Sequence, residues 1–223
     1  VAGGFSDNIV RLWRLDNADN EGKEYGAGHE QRPRAQSKVA KGEVQESYSR
    51  LIGHTMSVTA CSISPDNQWL LTSSQDSTVR RWHIGTGAMT SKFTLATESQ
   101  CPVWDVSFGP YGYFFVTGSR DKMAYLWSLE RTSPIRHFWG HRSDVGKVRF
   151  HPNSIFVGTG SVDGTVRLWD VRDGNVARVF GKHNGPIHSL AFSPNGQFIA
   201  SSGEHNQVVI WDLRKGARFG SVE

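Results

Sequence analysis

The sequence predicts an all-β architecture in which one four-stranded unit recurs along the chain. Five tryptophans each stand six residues after a polar turn residue, and the last four lie 45, 42 and 42 residues apart. They are Trp13, Trp82, Trp127, Trp169 and Trp211. A period of about 40–45 residues, with a Gly-His start and a Trp-Asp end, is typical of the blades of a β-propeller. No segment shows the 3.6-residue periodicity of a helix of useful length.

Each repeat is predicted to hold short strands separated by turns. The first strand of each repeat has apolar residues at matching offsets, opening at Val58, Val103, Val145 and Ile187 and closing at Ile63, Phe108, Phe150 and Phe192. A turn with proline in second place follows, at 64–67, 109–112, 151–154 and 193–196. The second strand is apolar almost throughout, as expected when neighbouring blades cover both of its faces. The third strand ends in the tryptophan.

The repeat pattern divides the chain into a partial propeller. The divisions are a partial blade at 1–15, an insertion at 16–49, repeats at 50–85, 90–129, 133–171 and 176–213, and the start of a next blade at 214–223. A closed ring has about 4–8 blades and leaves no unpaired sheet edge, and this stretch is expected to belong to a longer chain that completes the ring. Residues 1–223 expressed alone are expected to aggregate through unpaired strand edges. A monomeric 1–223 that unfolds cooperatively would contradict this.

The insertion at 16–49 has little apolar surface to bury. It contains no Leu, Ile, Phe, Trp or Met, and it carries seven acidic against five basic residues. Such a composition predicts a flexible excursion. Two interpretations stay open: a tolerated surface loop, or a segment for partner docking or modification.

Bulk composition fits a soluble globular protein and disfavours several classes of function. No apolar run approaches the length of a membrane span, and the first residues lack the pattern of a secretory signal. The net charge is +4, but the basic residues are scattered, so no specific nucleic-acid binding is expected. Cys61 and Cys101 fall in or beside predicted first strands and are expected to act as small core residues. A reducing intracellular location is the simpler interpretation.

No arrangement of residues indicates catalysis, a metal or a cofactor. His137 and His141 are four apart but on a predicted strand and loop, not on one helical face. Ser or Thr, His and Asp recur in every unit, which points to blade architecture and not to a single catalytic triad. The glycine-rich stretch at 158–164 precedes a strand, so it lacks the helix N-terminus that binds phosphate. We therefore expect no catalytic residue, no metal and no cofactor.

A further spacing links polar residues within each unit. His54, His141 and His183 stand 22 residues before Asp76, Asp163 and His205, with Thr or Ser four residues before each of the latter. Such units resemble WD repeats, in which His, Ser/Thr, Asp and Trp form a buried hydrogen-bonded chain across one blade. The resemblance assigns this structural role to His54, Thr72, Asp76, Trp82, Thr117, Asp121, Trp127, His141, Thr159, Asp163, Trp169, His183, Ser201 and Trp211. Ser99, Lys182 and His205 depart from the pattern.

The same resemblance indicates which residues face a partner. In WD repeats, the residue before the turn Asp and those three and five after the His point to the top face. Among the residues at these positions, the candidates for partner binding are Gln75, Trp104, Arg120, Asp144, His188 and Glu204. An aromatic and an arginine amid mixed charge are typical of interface hot spots. The alternative is that Trp104 is partly buried and Arg120 merely pairs with Asp144.

Longer segments resemble one family of WD proteins, the subunit 5 family of the general transcription factor TFIID. They are PVWDVSFGPYGYFFVTGSRDKMAYLW (102–127), PIRHFWGHRSDV (134–145), RFHPNSIFVGTGSVDGTVRLWDV (149–171) and GPIHSLAFSPNGQFIA (185–200). The resemblance implies a seven-bladed propeller in the full protein. It also implies a nuclear, non-catalytic scaffold that organises histone-fold TBP-associated factors within TFIID, and in some organisms within the SAGA coactivator. No membrane and no specific nucleic acid is implied as a partner. The alternatives are a WD scaffold of RNA processing or of ubiquitin-ligase substrate recognition and, more distantly, an enzyme with a WD domain.

Overall fold

A computed structural model describes residues 2–4, 8–13, 48–95, 100–181, 183–204 and 207–222. Most of the predicted insertion lies outside these residues, as do Ser99, Lys182 and His205, the three departures from the repeat pattern. All regular structure in the described part of the chain is β-strand, which confirms the all-β prediction. No helix among the described residues is long and apolar enough to cross a membrane.

The strands form five antiparallel sheets, here called blades 1 to 5 in chain order. Blade 1 has three strands: β1 (Ala2–Gly4), β2 (Ile9–Trp13) and β3 (Tyr48–Ile52). Blade 2 comprises β4 (Val58–Ile63), β5 (Trp69–Ser74), β6 (Thr78–His83) and β7 (Met89–Thr94), and blade 3 comprises β8 (Val103–Phe108), β9 (Phe114–Ser119), β10 (Ala124–Ser128) and β11 (Arg136–Phe138). Blade 4 comprises β12 (Val145–Phe150), β13 (Phe156–Ser161), β14 (Val166–Asp170) and β15 (Val176–Phe180), and blade 5 comprises β16 (Ser189–Phe192), β17 (Phe198–Ser202), β18 (Val208–Asp212) and β19 (Ala217–Val222).

Within each blade the strands pair in chain order, so every blade is an antiparallel meander. The first strands of neighbouring four-stranded blades contact one another, which places them on the inner side of the array. The meander brings the turns after the first and third strands to one end of each sheet. The turn after the second strand and the loop leading into the next blade lie at the opposite end. We call the second end the top face and the first end the bottom face.

The turn after each first strand has one backbone geometry throughout. Its fourth residue has a positive φ, 57° at Asn67, 75° at Gly112, 61° at Ser154 and 69° at Gly196. In every case its N–H donates to the carbonyl of the first turn residue, at 2.9 Å. Asn and Gly tolerate this left-handed conformation more readily than other residues do. The predicted tight turns are therefore confirmed.

The predicted opening of β16 at Ile187 is wrong by two residues. The N–H of Ile187 donates to the carbonyl of Ser161 in blade 4, at 3.1 Å, and not to a strand of its own blade. The first hydrogen bond to β17 is donated by the N–H of His188, to the Ser202 carbonyl at 2.8 Å, and β16 itself begins at Ser189.

The apolar core lies between blades, and each interface has its own cluster of buried side chains. One contact recurs at three interfaces, where a phenylalanine of the outer strand packs on the tryptophan of the next blade. The ring centroids are 6.0 Å apart for Phe93–Trp127 and 5.7 Å apart for both Phe138–Trp169 and Phe180–Trp211. This arrangement explains the continuous apolar second strands of blades 2 to 4, which are buried on both faces, whereas β17 of blade 5 is fully buried only at alternate residues.

Glycines allow the close approach of blades 4 and 5. A Cβ on Gly160 would lie 2.5 Å from Cγ2 of Ile187, and one on Gly158 would lie 2.8 Å from Cζ of Phe192. The glycine-rich stretch at 158–164, which had the wrong context for a phosphate site, thus lies against the next sheet. Small residues at these positions let the sheets pack without a gap.

An ion pair between a buried carboxylate and a partly exposed arginine joins blades 3 and 4, and the repeat pattern did not predict it. Asp105 is only 2% exposed, and its Oδ2 accepts from Arg149 Nη1 at 2.7 Å and from the Val148 N–H at 3.0 Å. Its other oxygen accepts from the Val106 N–H at 3.0 Å. The carboxylate therefore satisfies donors from two neighbouring first strands.

We expect Asp105→Ala to lower the free energy of unfolding by about 1–3 kcal/mol, because buried N–H groups of two strands lose their acceptor. Denaturant unfolding of the full chain measures this. Asp66→Ala, in an exposed turn, serves as a control for loss of a carboxylate. An Asp105 variant as stable as the Asp66 variant would contradict the bridging role.

Candidate functional site

Blades 2 and 4 each contain a complete hydrogen-bonded chain of four side chains. In blade 4, Trp169 Nε1 donates to Thr159 Oγ1 at 2.8 Å, and that hydroxyl lies 2.7 Å from His141 Nε2. His141 Nδ1 lies 3.0 Å from Asp163 Oδ2. In blade 2 the corresponding distances are 2.9, 2.7 and 2.9 Å for Trp82, Thr72, His54 and Asp76.

The direction of each hydrogen bond follows from the tryptophan at one end of the series, because its indole N–H can only donate. The indole N–H has no acceptor capacity, so the Thr159 hydroxyl accepts from it and donates its own hydrogen to His141 Nε2. The proton of a neutral imidazole is then on Nδ1, where it is donated to Asp163. The carboxylate also accepts from the N–H of Arg142 at 2.9 Å and of Thr165 at 2.9 Å. Each series of hydrogen bonds therefore links the tryptophan of the third strand to the turn after the second strand, on the top face.

Blades 3 and 5 contain shorter versions of the chain. Trp127 Nε1 donates to Thr117 Oγ1 at 3.0 Å. Asp121 accepts from the hydroxyl of Tyr125 instead, a contact that the sequence analysis missed. In blade 5, Trp211 Nε1 donates to Ser201 Oγ at 2.8 Å, and His183 Nε2 lies 2.8 Å from the same oxygen. Ser99, at the His position of its repeat, and His205, at the Asp position of its repeat, lie outside the described residues.

The folded environment lowers the pKa values of His141, Asp163 and Asp76. Burial lowers the pKa of His141, although the hydrogen bond and charge of Asp163 act in the opposite direction. Burial alone would raise the pKa of Asp163, but the hydrogen bonds from Thr165, Arg142 and His141 outweigh it and hold that pKa well below its usual range. Asp76 behaves in the same way, with His54, Thr78 and Thr55 as its donors.

We expect the free energy of unfolding to fall with acidification in two phases. Below about pH 6.5 the unfolded chain protonates its histidines before the folded chain protonates His141, so stability falls. Below about pH 4 the unfolded chain protonates its carboxylates while Asp76 and Asp163 stay ionised, so stability falls again. Denaturant unfolding at a series of pH values measures both phases. Constant stability between pH 7.5 and 5 would contradict a neutral, buried His141.

A cavity of about 600 Å³ opens at the top face across blades 2 to 5. Its lining comprises Ser57, Val58, Thr59, Gln75, Trp104, Asp144, Gly146, Lys147, Val162, Pro186, Ile187 and His188. Four of the six candidate partner-binding residues are thus brought together: Gln75, Trp104, Asp144 and His188. Lys147 was missed, although its place in the strand VGKVRF, beside the buried Val148, could have indicated a polar side chain facing the cavity.

The two remaining candidates lie outside the lining of this cavity. Arg120 is exposed on the turn after β9, and the Glu204 side chain lies against Gly185, where an added Cβ would be 2.6 Å from its Oε2. The suggestion that Arg120 pairs with Asp144 is wrong within the described residues. Asp144 Oδ2 instead accepts from Trp104 Nε1, at 3.0 Å.

The Trp104–Asp144 hydrogen bond connects two blades at the edge of the cavity. Trp104 lies on β8 of blade 3, and Asp144 directly precedes β12 of blade 4. Both side chains are half-buried, so the indole is held in one orientation while part of it remains accessible. A restrained aromatic beside polar groups is suited to protein recognition, because little side-chain freedom is lost on binding.

In the described part of the chain, no group of three or more His, Cys, Asp or Glu side chains is arranged to hold a metal ion. The Ser or Thr and His residues of the hydrogen-bonded chains are buried within the blades, and Asp76, Asp121 and Asp163 are half-buried.

Comparison with known families identifies four repeats. The family model for the WD domain, G-beta repeat, matches residues 45–83, 90–128, 132–170 and 174–212, which together exceed half of the chain.

Individual relatives cover only parts of the chain. The chain is 35% identical over 99 residues to transcription initiation factor TFIID subunit 5 of Caenorhabditis elegans, a match that covers 44% of this chain and 15% of that protein. It is 37% identical over 82 residues to the protein of the same name from Arabidopsis thaliana, covering 37% of this chain and 12% of that protein. It is 31% identical over 165 residues to mitochondrial division protein 1 of Schizosaccharomyces pombe, covering 66% of this chain and 24% of that protein.

The chain therefore spans much less than two thirds of the length of these relatives. The repeat matches, the stacked four-stranded sheets and the His–Thr–Asp–Trp chains agree with one another. On these grounds the chain belongs to the WD domain, G-beta repeat family.

Proposed function

We propose that this chain is a non-catalytic scaffold subunit of TFIID, of the SAGA coactivator, or of both, and that it acts in the nucleus. Its top face docks histone-fold TBP-associated factors during initiation of transcription by RNA polymerase II. Support comes from the segments of 102–200 that resemble the subunit 5 family and from two relatives that carry that name. The WD repeats themselves favour a binding role over catalysis.

The cavity at the top face is the observation that carries the docking proposal. Side chains from four blades line it, and Trp104 is oriented there by Asp144. Lys147 and His188 add donors, while Val162, Pro186 and Ile187 add apolar surface. An apolar centre with an aromatic anchor and a polar rim is the usual anatomy of a protein interface. Arg120 and Glu204, outside the cavity lining, would contribute to the rim.

Affinity purification of the tagged full chain from nuclear extract, followed by mass spectrometry, tests the identity of the complex. We expect histone-fold TBP-associated factors to be recovered in stoichiometric amounts. A sample that contains spliceosomal, nucleolar or cullin subunits in their place would overturn the assignment to TFIID or SAGA.

A different complex is the second candidate, and the extent of the matches favours it. The match to mitochondrial division protein 1 covers 66% of this chain, against 44% for the first TFIID relative. WD repeats serve many assemblies, so the same top face could dock other subunits. The purification above separates the two candidates, because each predicts a different set of recovered proteins.

A further inference from the structure

An aromatic slot opens on the bottom face between blades 3 and 4. It encloses about 120 Å³, and Gly109, Tyr111, Tyr113, Phe114, Phe150, Ser154 and Val171 line it. Tyr111 and Tyr113 are 70% and 71% exposed, and Phe114 is 43% exposed. Three aromatic side chains so exposed within four residues are unusual on a surface that contacts only water. The slot is large enough for one apolar side chain of a partner.

A basic cavity lies next to the slot, between blades 4 and 5. It encloses about 420 Å³, and Arg178 and Arg214 supply the charged groups of its lining. The turn at 151–154 separates the two spaces, since Ser154 lines the slot while His151 and Asn153 line the cavity. Hydrogen bonds hold this turn: His151 Nε2 lies 2.9 Å from the Gly196 carbonyl. The slot and the cavity are therefore neighbours on one face.

Neither arginine of the cavity forms an ion pair with a carboxylate of the described residues. Asp212 Oδ1 accepts from the N–H groups of Arg214 and Lys215, both at 2.8 Å, and so stabilises the turn after β18. Asp170 pairs with Arg172 at 3.0 Å. Arg178 donates one hydrogen bond, to the Arg214 carbonyl at 3.3 Å, and its other N–H groups face no carboxylate among the described residues. A partner with negative charge would find unused donors here.

We propose that the bottom face of blades 3 to 5 docks an acidic protein segment that carries an apolar anchor. The anchor, an aromatic or aliphatic side chain, fills the slot between Tyr111, Tyr113 and Phe114. Asp or Glu residues beside the anchor place their carboxylates against Arg178 and Arg214. The site is distinct from the top face, so it allows two partners to bind one propeller at once.

The combination of slot and charge selects this occupant over a nucleic acid. Phosphates alone would be satisfied by the arginines and would leave the slot unexplained. Bases could stack on the tyrosines, but the slot is narrow and lies between side chains of two blades. An apolar side chain next to carboxylates satisfies both features, and the charge also accelerates encounter.

Fluorescence anisotropy with the full chain tests the proposal. The probe is a labelled peptide of about twelve residues, rich in Asp and Glu, with a single central Phe. We expect it to bind with an affinity that falls as salt is raised, because exposed charges contribute. A peptide with Lys in place of the acidic residues, and a peptide with Ala in place of the Phe, should each bind at least about tenfold more weakly.

Substitutions test whether the labelled peptide binds at the bottom face. Arg178→Glu with Arg214→Glu, and separately Tyr111→Ser with Tyr113→Ser, should each weaken the probe at least about tenfold. All four side chains are exposed, so the fold should be retained, as thermal unfolding checks. Arg142→Glu, an exposed arginine near the top face, is the charge-reversal control and should leave binding unchanged. Trp104→Ala should also leave it unchanged, which separates this site from the proposed function.

Three results would overturn the proposal: equal binding of the acidic and basic peptides, no effect of the bottom-face substitutions, or stronger binding of a single-stranded oligonucleotide of equal charge. The last result would identify the face as a nucleic-acid site.

Discussion

Trp169→Ala is expected to lower the free energy of unfolding of the full chain by about 3–5 kcal/mol, the usual cost of truncating a large core aromatic. Trp169 is 1% exposed, and its ring packs on Phe138 of the preceding blade. Its indole N–H donates to Thr159, the hydroxyl that also serves His141. The substitution therefore opens a cavity between blades 3 and 4 and leaves Thr159 with one partner fewer. Denaturant unfolding measures the loss.

Trp169→Phe is the matched control, because it keeps an aromatic ring at the interface and removes the donor. We expect it to cost less than the alanine variant, with about 1 kcal/mol due to the lost hydrogen bond. If the alanine variant cost less than about 1 kcal/mol, the interface between blades 3 and 4 would not be a structural core of the protein.

Trp104→Ala combined with Arg120→Ala is expected to weaken binding of the top-face partner by about 2–4 kcal/mol, which is roughly 30-fold to 1000-fold in affinity. Trp104 supplies an oriented aromatic in the cavity, and Arg120 supplies an exposed guanidinium near it. The stability of the free chain should change little, because Arg120 is exposed and Trp104 is only half-buried. Titration with the purified partner subunits measures the affinity.

Trp139→Ala tests whether removal of any exposed tryptophan weakens binding of the top-face partner. Trp139 is 74% exposed and does not line the top-face cavity. We expect its removal to leave partner affinity unchanged. Equal losses for the two variants, or no loss for either, would remove the top-face proposal.

Much of the fold could be predicted from the sequence because the same residue types recur at fixed offsets in each repeat. The tryptophan spacing, the proline turns and the apolar second strands recur in each unit, so a single pattern places most strands. The error at β16 shows the limit of that reasoning. Ile187 has the correct side chain for a strand start, but its N–H donates to the carbonyl of Ser161 in the preceding sheet, blade 4. Local pattern does not reveal which neighbour takes a backbone hydrogen bond.

Contacts that occur in one repeat only were harder to predict than contacts that recur in each repeat. Asp105 is a polar residue in the mainly apolar strand β8, and only the packing of β8 on β12 shows that Arg149 pairs with it. Asp121 occupies the expected place in its repeat, yet Tyr125 takes its carboxylate. In both cases the partner comes from side-chain positions that differ among the repeats. Periodicity therefore has no means of predicting them.

The top-face site could be predicted only in part, because repeat offsets place residues on a face but do not show which side chains contact one another. Repeat offsets indicated which residues lie near the top face, and four of the six line the cavity there. They did not indicate that Asp144 would bond to Trp104 or that Lys147 would join the lining. On the bottom face, Tyr111 and Tyr113 stand where the other repeats have Asp or Asn and Gln or Ile, so no repeat rule singled them out.

Hydrogen exchange of the full chain, free and in its purified complex, tests whether the stacked blades form a rigid scaffold whose top face docks a protein partner. We expect slow exchange in the second and third strands of blades 2 to 5 in both states. We also expect new protection on binding in the top-face segments 102–104, 142–147 and 186–188. Unchanged exchange in these segments, with protection confined to the outer strands, would contradict docking at the top face.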